Sequence, residues 1–372
     1  MPQIKIGDVA RAAGVSNSTV SRVLKGQKEH MRPETRNRVL RAIEELGFRP
    51  NQLARGLVTG KTNTIGVIIP DVSNPFFGTA IKCCEDVLFD NGYNIILCNT
   101  NENVDREKQF LDLLISRSVD ALAIWGSRVP GDELTALVGD SIPLLTVEFS
   151  DEPSAPNHIC INIDNEDGAK AATQHLIEQG CRRIAHLSGP VGRITGQRRF
   201  SGYQKALEEN GLEYDPLLVL KGKPSIRGGY QAVLDILKNQ SPDAVFCYND
   251  LMAVGAIIAA QQNNLQVPND LAIVGFDDIT LASLVTPPLT TIQIPQRELG
   301  SLTGKLLLQS LQDGELLERS ILLPVKLQVR ASSVTQPFTS EQRHALLENL
   351  ISYTASDQTD KAHSATGDLS TG

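Results

Sequence analysis

Side chains suited to recognition chemistry lie close together on one short segment near the N-terminus, residues 17–24. At 3.6 residues per helical turn, Val20, Val23 and Leu24 fall on one side of this segment. The other side carries short polar and basic groups: Asn17, Ser18, Ser21, Arg22 and Lys25. Arginine can donate two hydrogen bonds to guanine, and asparagine can bond adenine in the same way. This face fits base edges and phosphates, although a three-helix bundle with a solvated basic face explains the same pattern.

A second group of such side chains follows strand-like runs later in the chain. Residues 71–77, Asp-Val-Ser-Asn-Pro-Phe-Phe, come directly after the apolar run 65–70. Ligands of open α/β sheets bind beyond the carboxyl ends of strands, so Phe76 and Phe77 could stack on a flat ligand or a sugar ring. Taken alone, aromatics at the start of a helix are more simply explained as core residues. Asn249 and Asp277 also follow strand-like runs and are predicted to face the same crevice.

The sequence gives little support to an enzyme or a metal site. It contains no Gly-x-Ser-x-Gly, no His-Glu-x-x-His and no Gly-x-Gly-x-x-Gly after a strand. Residues 56–62 resemble a phosphate loop, but three residues rather than four separate the glycines and no strand precedes them. His158 and Cys160 lack a second pair of ligands, and the adjacent Asp277 and Asp278 point to different faces. We therefore expect no enzymatic activity, no catalytic residue and no metal ligand.

Helices and strands must position these groups. Residues 1–50 predict three short helices: one from Gly7 to Ala13, one capped by Ser16, and one that begins near Pro33 and ends at Gly47. From Thr64 to about Ser333, helical stretches alternate with strand-like runs at 65–70, 94–98, 121–125, 144–147, 184–187, 244–247 and 272–276. This alternation is typical of βαβ units on parallel sheets. Its recurrence in both halves predicts two similar α/β lobes with a cleft between them.

Charge is distributed unevenly along the 372 residues. The whole chain has a net charge of −8, yet residues 1–61 hold twelve Lys and Arg against five Asp and Glu. A small basic head on a large acidic body is expected when one end contacts a polyanion. The six cysteines are mostly scattered singly, and no apolar run is long enough to span a membrane. Because the N-terminus also lacks the pattern of a signal peptide, we expect a cytoplasmic protein without membrane contact.

Sequence motifs in residues 1–50 resemble those of a known family. Ile6-Gly7-Asp8-Val9-Ala10, Ala13-Gly14-Val15-Ser16 and the Ser-Thr-Val-Ser-Arg-Val-Leu stretch at 18–24 closely resemble the head of the LacI/GalR (lactose-repressor) family of bacterial transcription regulators. Thr35-Arg36, Leu46-Gly47-Phe48, Pro50-Asn51 and Ala54-Arg55 continue the match. The resemblance then runs through the body to about Ser333. It is specific and covers most of the chain.

The resemblance implies a homodimer whose recognition helices lie in successive major grooves of a near-palindromic operator. Carried over by position, Asn17, Ser18 and Arg22 would read bases, while three hydroxyls would contact phosphates: Ser16, Thr19 and Ser21. Residues 51–62 would form a hinge helix on operator DNA, with Leu57 wedged into the minor groove. Gly56 replaces a common serine and Val58 a usual basic residue. Both changes weaken the hinge, so we expect it to order only on DNA.

The same resemblance gives the body the fold of periplasmic sugar-binding proteins and places a set of residues at ligand positions: Asn74, Phe76, Phe77, Arg193, Thr195, Arg199, Asn249 and Asp277. Glu148-Phe149 stands where many sugar-responsive members have Asp-Arg, with Asp151 close enough to substitute. Pro224 stands where many members have an aromatic residue. Arg193 with Thr195 resembles the purine-responsive branch. We expect a sugar or sugar derivative as effector, with a purine as the alternative.

These inferences combine into one organisation: a helix-turn-helix DNA-binding domain at 1–50, a hinge at 51–62, a two-lobed effector-binding and dimerisation domain at 63–335, and a polar, largely disordered tail at 336–372. The apolar stripe in that tail, around Leu346 and Leu350, is about two turns long and too short to predict tetramerisation. The expected function is a transcription regulator, a repressor, whose operator affinity depends on a small metabolite and which needs no cofactor. A purine-corepressed regulator is the alternative. A solute-binding receptor fits less well, because it would need a secretion signal and no basic head.

Overall fold

The computed structural model describes residues 4–24, 31–48, 61–149, 155–190, 192–312 and 319–334. The head consists of helices α1 (Ile6–Ala13), α2 (Asn17–Leu24) and α3 (Pro33–Leu46). Gly14 ends α1 at a φ of 61°, a left-handed conformation that glycine adopts without steric cost. The backbone N–H of Thr19 donates to Ser16 Oγ at 3.3 Å, so this hydroxyl caps α2 as expected. The three helices share a small apolar core of Val9, Ala10, Ala13, Val20, Val23, Val39, Ala42 and Phe48.

The first lobe is built on a six-stranded sheet in which every neighbouring pair is parallel. Its strands are β1 (Thr64–Ile69), β2 (Asn94–Asn99), β3 (Ala121–Trp125), β4 (Leu144–Val147), β5 (His158–Ile163) and β11 (Ser320–Leu323). They lie in the order β11–β5–β4–β3–β1–β2. Helices α4 (Pro75–Asp90), α5 (Val104–Ser116) and α6 (Gly131–Val138) connect them. β1, β3 and β4 are buried along almost their whole length, as the central strands of a sheet covered on both faces must be.

The second lobe repeats this plan with one difference. Its strands are β6 (Ile184–Ser188), β7 (Val219–Lys221), β8 (Ala244–Cys247), β9 (Ala272–Asp277), β10 (Thr290–Gln293) and β12 (Lys326–Gln328). They lie in the order β12–β10–β9–β8–β6–β7. Helices α7 (Asn165–Glu178), α8 (Ile194–Glu209), α9 (Ile226–Leu237), α10 (Asp250–Gln262) and α11 (Thr280–Leu284) belong to this lobe, with a 3₁₀ turn at Pro216–Leu218. All neighbouring strands of this sheet are parallel except at one edge, where β12 runs antiparallel to β10.

The chain passes between the lobes three times. It crosses from β5 to α7, from β10 to α12 (Gln296–Gln312), and from β11 to β12. After each crossing the chain packs on the other lobe: α7 lies against α8, and α12 lies against α4. These crossings make both lobes discontinuous in sequence, and they bring the carboxyl ends of the two sheets toward one another. The two-lobed α/β architecture predicted from the alternating pattern is confirmed.

The seven strands expected in the body are all present, with ends that differ by at most two residues, and helices lie between them as the alternation predicts. Five strands were not expected: β5, β7, β10, β11 and β12. Within the described part of the chain, no helix combines the length and apolar character that a bilayer crossing requires.

Candidate functional site

A pocket of about 70 Å³ lies between the lobes, where the carboxyl ends of the central strands meet. It brings together all of the predicted ligand-binding residues that the structure describes: Asn74, Phe76, Phe77, Arg193, Thr195, Arg199, Asn249 and Asp277. Asp151 lies outside the described residues. Further walls are formed by Pro70, Asp71, Glu102, Trp125, Gly126, Val147, Glu148, Ile163, Pro224, Tyr248 and Ile294. Both lobes contribute to the pocket, so a bound molecule would contact both.

Aromatic rings form the wall on the side of the first lobe. The Asn74 side chain caps α4 by accepting from the N–H of Phe76 at 3.1 Å, which fixes the start of the helix at the pocket. Phe76 and Phe77 pack edge to face with centroids 5.2 Å apart, and both pack edge to face against Trp125. Phe76 is also part of the main hydrophobic core. A core role and a ligand-binding role are therefore compatible for this aromatic pair, because the pair packs against the core and also lines the pocket.

Arg199 is the buried cation of the second lobe. Its side chain extends from α8, with the guanidinium carbon 3.7 Å from the centroid of the Phe276 ring and 4.7 Å from that of Tyr248. Nε donates to Asn165 Oδ1 at 2.7 Å, and Nη1 donates to the Tyr248 carbonyl oxygen. Nη2 lies 3.6 Å from Asp277 Oδ1. Ring faces, hydrogen bonds and the ion pair together fix this guanidinium, so its position is set before any ligand arrives.

Two carboxyl groups share the field of Arg199. Burial raises the pKa of Glu148 to about 7, and Arg199 acts in the opposite direction. Burial also raises the pKa of Asp277 to about 7, again opposed by Arg199 and increased further by the charge of Glu148. Glu148 comes from the first lobe and accepts from the N–H of Ile163 at 2.6 Å and, from α7 of the second lobe, from Asn165 Nδ2 at 2.7 Å. Glu148, Asp277 and Arg199 thus form a junction of two acids and one cation to which both lobes contribute.

Arg193 spans the pocket from the second lobe to the first. Its Nε and Nη2 donate to the same Glu102 oxygen at 2.8 and 2.6 Å. Nη1 donates to the carbonyl oxygen of Gly126 at 3.1 Å. Gly126 has a φ of 59°, and a Cβ there would lie 2.3 Å from Arg193 Nη1, so a side chain at this position would displace the guanidinium. These contacts join the two lobes at the wall of the pocket.

The remaining predicted residues are held by local hydrogen bonds. Asn249 caps α10, since its Oδ1 accepts from the N–H of Met252 at 3.0 Å. The hydroxyls of Thr195 and Tyr248 lie 2.9 Å apart. Asp278 faces away from the pocket and pairs with Arg330 at 2.7 Å, which confirms that Asp277 and Asp278 point to different faces. His158 bonds Thr146 at 2.8 Å, and no cluster of three or more potential metal ligands occurs among the described residues.

The head presents a separate polar surface on α2. Asn17, Ser18 and Arg22 are exposed, while Val20 and Val23 of the same helix are buried. The Ser16 hydroxyl lies 2.7 Å from that of Ser18 and 3.0 Å from that of Thr19. Thr19 and Ser21 are half-buried at the edge of this face. The geometry matches a helix that is anchored by its apolar side and free to enter a groove with the other. Leu57 lies outside the described residues.

Comparison with known proteins decides the family. The model of bacterial regulatory proteins of the LacI family matches residues 5–51, and the model of periplasmic binding proteins and sugar-binding domains of that family matches residues 62–331. The chain belongs to the LacI family. It is therefore a DNA-binding transcriptional regulator with an α/β body, and both the resemblance and the fold class expected from the sequence are confirmed.

Individual relatives agree with this assignment. Catabolite control protein A of Priestia megaterium is 36% identical over 333 residues, which cover 89% of this chain and 99% of that protein. The lac repressor dimer bound to operator and the anti-inducer ONPF has a TM-score of 0.80 and 30% identity, covering 90% of this chain and 100% of that one. A LacI family regulator from Enterococcus faecium with bound ribose has a TM-score of 0.67 and 30% identity, covering 74% and 100%.

Several pocket residues of this LacI-family regulator were missed by sequence reasoning. Trp125 and Tyr248 stand at or just after the ends of β3 and β8, so the rule that selected Asn249 and Asp277 could have found both. Asp71 belongs to the segment 71–77, which was predicted to follow a strand at the ligand crevice, but it was not named as a ligand residue. Glu102 gave no comparable signal, because it lies in the turn between β2 and α5 and reaches the pocket only through its pairing with Arg193.

Proposed function

We propose that this LacI-family regulator represses transcription as a homodimer that binds operator DNA through its head and a small metabolite, a sugar or sugar derivative, through the pocket. The observation that carries the proposal is the joint placement of aromatic rings and fixed charged groups from both lobes at one pocket, on a chain that also carries a helix-turn-helix head. We propose residues 1–50 as the DNA-binding unit, 51–62 as the hinge, 63–335 as the effector-binding and dimerisation unit, and 336–372 as a polar tail. No catalytic step or cofactor is part of this function, and a regulator of this kind acts in the bacterial cytoplasm.

On DNA, the exposed side chains of α2 have separate roles. Arg22 would donate to a guanine edge, and Asn17 and Ser18 would contact neighbouring bases. The hydroxyls of Ser16, Thr19 and Ser21 would fix the register on the phosphates. Leu57 would wedge into the minor groove between the half-sites, where unstacking by an apolar side chain bends the duplex. The charge of the head supports this arrangement, because twelve basic residues lie within the first 61 positions.

In the pocket, the chemistry of the fixed groups favours a polyhydroxylated ring. Asp277 can accept from hydroxyls and Arg193 can donate to their oxygens, while Asn249 can do both. Phe76 and Phe77 offer apolar faces of the kind that pack against the C–H surface of a sugar. The solved relative bound to ribose is consistent with this class of ligand. Asp151 is retained in the proposal as a further contact.

A purine is the second candidate, with corepression in place of induction. The observation that favours it is the position of Arg193 and Thr195 at one pocket beside aromatic rings, since guanidinium and hydroxyl groups can bond ring nitrogens and oxygens while the rings stack. The two candidates differ in direction. A sugar would be expected to release the operator, and a purine to strengthen its binding.

Control of DNA binding would follow from the two-lobed build of the pocket. A molecule that contacts both lobes binds one relative orientation of the lobes better than another, and it shifts the population by that difference in affinity. The first lobe connects to the head through residues 51–62, so a change of lobe orientation in the dimer would alter the separation of the two heads.

The proposal is tested by two variants that should separate its halves. Arg22→Ala should lose operator affinity while still binding the effector. Asp277→Asn should keep operator affinity in the absence of effector but lose the response to it. Calorimetric titration with a panel of free sugars and purines, alongside operator binding with and without each compound, gives both readouts. Loss of both activities in either variant, with normal folding, would contradict the division of roles.

A further inference from the structure

We propose that the pocket selects ligands without a negative charge, and that Glu102 sets this preference by occupying Arg193. This inference rests on the proposed function and narrows its ligand class to free sugars or bases, excluding sugar phosphates and nucleotides. Four features of the described pocket support it: the pairing of Arg193, the pairing of Arg199, the excess of acidic groups, and an unpaired neutral donor.

Arg193 lines the pocket, its charge is paired with a carboxylate, and each of its three nitrogens already donates one hydrogen bond. Nε and Nη2 both donate to one carboxylate oxygen of Glu102, and Nη1 donates to Gly126. Arg193 is 8% exposed and Glu102 28% exposed, so the pair is partly shielded from water. An anionic ligand that approached the remaining N–H groups of this arginine would meet a cation whose charge is already balanced by the carboxylate of Glu102.

Glu102 is itself held in place. The Nη1 atom of Arg128 donates to its carbonyl oxygen at 2.9 Å. Arg128 belongs to a loop that is fixed by the buried Glu107, which accepts from the Ser127 hydroxyl at 2.5 Å and from the N–H of Arg128 at 3.2 Å. The main chain at Glu102 is thus held by the same loop that supplies the Gly126 carbonyl to Arg193. The pairing of Glu102 with Arg193 is therefore fixed by several hydrogen bonds of the surrounding main chain.

The rest of the pocket adds to the barrier against anions. Its described lining contains four acids, Asp71, Glu102, Glu148 and Asp277, but only two arginines. The second arginine, Arg199, lies against Asp277. A phosphate group entering this space would meet the carboxylate of Glu102 without gaining an unpaired cation, and close like charges in a buried site are strongly unfavourable.

A neutral acceptor, by contrast, has an available partner. The Trp125 indole is 2% exposed, lies in the pocket wall, and its Nε1–H has no hydrogen-bond partner among the described residues. Buried donors are normally satisfied, so a hydroxyl or carbonyl oxygen of a ligand is a suitable partner for this group. Together with the aromatic wall, it favours an uncharged polar ring.

The test uses inorganic phosphate as the charged probe and the full chain without DNA. Thermal unfolding is measured over a phosphate titration for the wild type, Glu102→Gln, Glu102→Ala and the double variant Glu102→Gln/Arg193→Gln. Glu133→Gln is the matched control, because it removes one negative charge from an ion pair with Lys108 in the same lobe, away from the pocket. Phosphate bound by the basic head is common to all variants and cancels in the comparison.

We expect both Glu102 variants to bind phosphate with an apparent Kd at least about tenfold lower than the wild type, since a carboxylate in contact with the guanidinium has been removed. The double variant and Glu133→Gln should behave like the wild type. Three results would overturn the inference: tight Arg193-dependent binding of phosphate by the wild type, no gain in either Glu102 variant, or a gain that persists without Arg193. None of these three results concerns operator binding. An operator-binding measurement on the same proteins therefore distinguishes failure of this inference from failure of the proposed function.

Discussion

Replacing Arg199 with methionine should destabilise the body by about 3–5 kcal/mol, because two buried carboxyl groups then lose their shared cation. Arg199 is 5% exposed, and its guanidinium carbon lies 3.7 Å from the centroid of the Phe276 ring. Methionine preserves the approximate length and the contact with the rings, so the loss comes from the ion pair and from the hydrogen bonds to Asn165 and Tyr248. Asp277, 3.6 Å from Nη2, loses its ion-pair partner, and Glu148 from the other lobe keeps its hydrogen bonds but loses the opposing charge.

The cost should depend on pH with a definite sign. Both carboxyl groups have pKa values of about 7 in the fold, above their ordinary values of 4.5 for Glu148 and 3.8 for Asp277. Their contribution to stability is therefore full at low pH and is lost as pH rises through the folded pKa values. Arg199 lowers both pKa values, so its removal raises them further. The difference between variant and wild type should consequently be larger at about pH 8.5 than at about pH 6.

Urea unfolding of the wild type and the variant at these two pH values measures both quantities. Arg182→Met is the control, since that guanidinium donates to the carbonyl oxygens of Ile177 and Cys181 in the same lobe and contacts no pocket carboxyl group. It should cost about 1 kcal/mol at either pH. A cost for Arg199→Met no greater than that of the control, or one that does not change with pH, would refute the electrostatic account of the junction.

Three further perturbations address other parts of the molecule. Arg22→Ala should cost about 1–3 kcal/mol in operator binding and relax the base preference, as measured by fluorescence anisotropy; equal weakening on cognate and scrambled duplexes would assign Arg22 to phosphate alone. Gly126→Ala should destabilise the body by about 1 kcal/mol, because its φ is 59°, and should weaken the effector response by displacing Arg193; an unchanged response would contradict the role of the Gly126 loop. Truncation after Gln336 should leave a dimer that still binds DNA, and sedimentation showing a full-length tetramer and a truncated dimer would reverse that prediction.

Most of the fold could be predicted from the sequence, because the central strands are apolar runs that are bounded by turns. The strands that were not predicted are only three or four residues long or, like β5, contain polar residues among the apolar ones. β5 reads His-Ile-Cys-Ile-Asn-Ile, and its His158 finds a partner in Thr146 of the neighbouring strand. In β10, Thr291 donates to Asp250 at 2.5 Å, a residue 41 positions away. Polar groups that are satisfied only by distant side chains make a buried strand look like a loop.

The pocket was predictable to a similar degree and for a related reason. Side chains at strand ends, such as Asn249 and Asp277, follow from the rule that the carboxyl edge of a parallel sheet binds ligands. Arg193 and Arg199 are not adjacent to the end of a strand, so they were assigned only through the family resemblance. Glu102 and its bond to Arg193, 91 residues away, depend on how the two lobes come together across three crossings. Local patterns contain no information on that arrangement.

The most direct test of the central account is selection of DNA by the full-length protein from a library of random duplexes, followed by titration of the enriched sequence at several salt concentrations. We predict near-palindromic duplexes with two half-sites, a log affinity that falls steeply with log salt, and discrimination against scrambled duplexes that is lost in Arg22→Ala. Enrichment without a palindrome, or equal affinity for selected and scrambled duplexes across the salt range, would contradict the conclusion that this chain reads an operator through its N-terminal head.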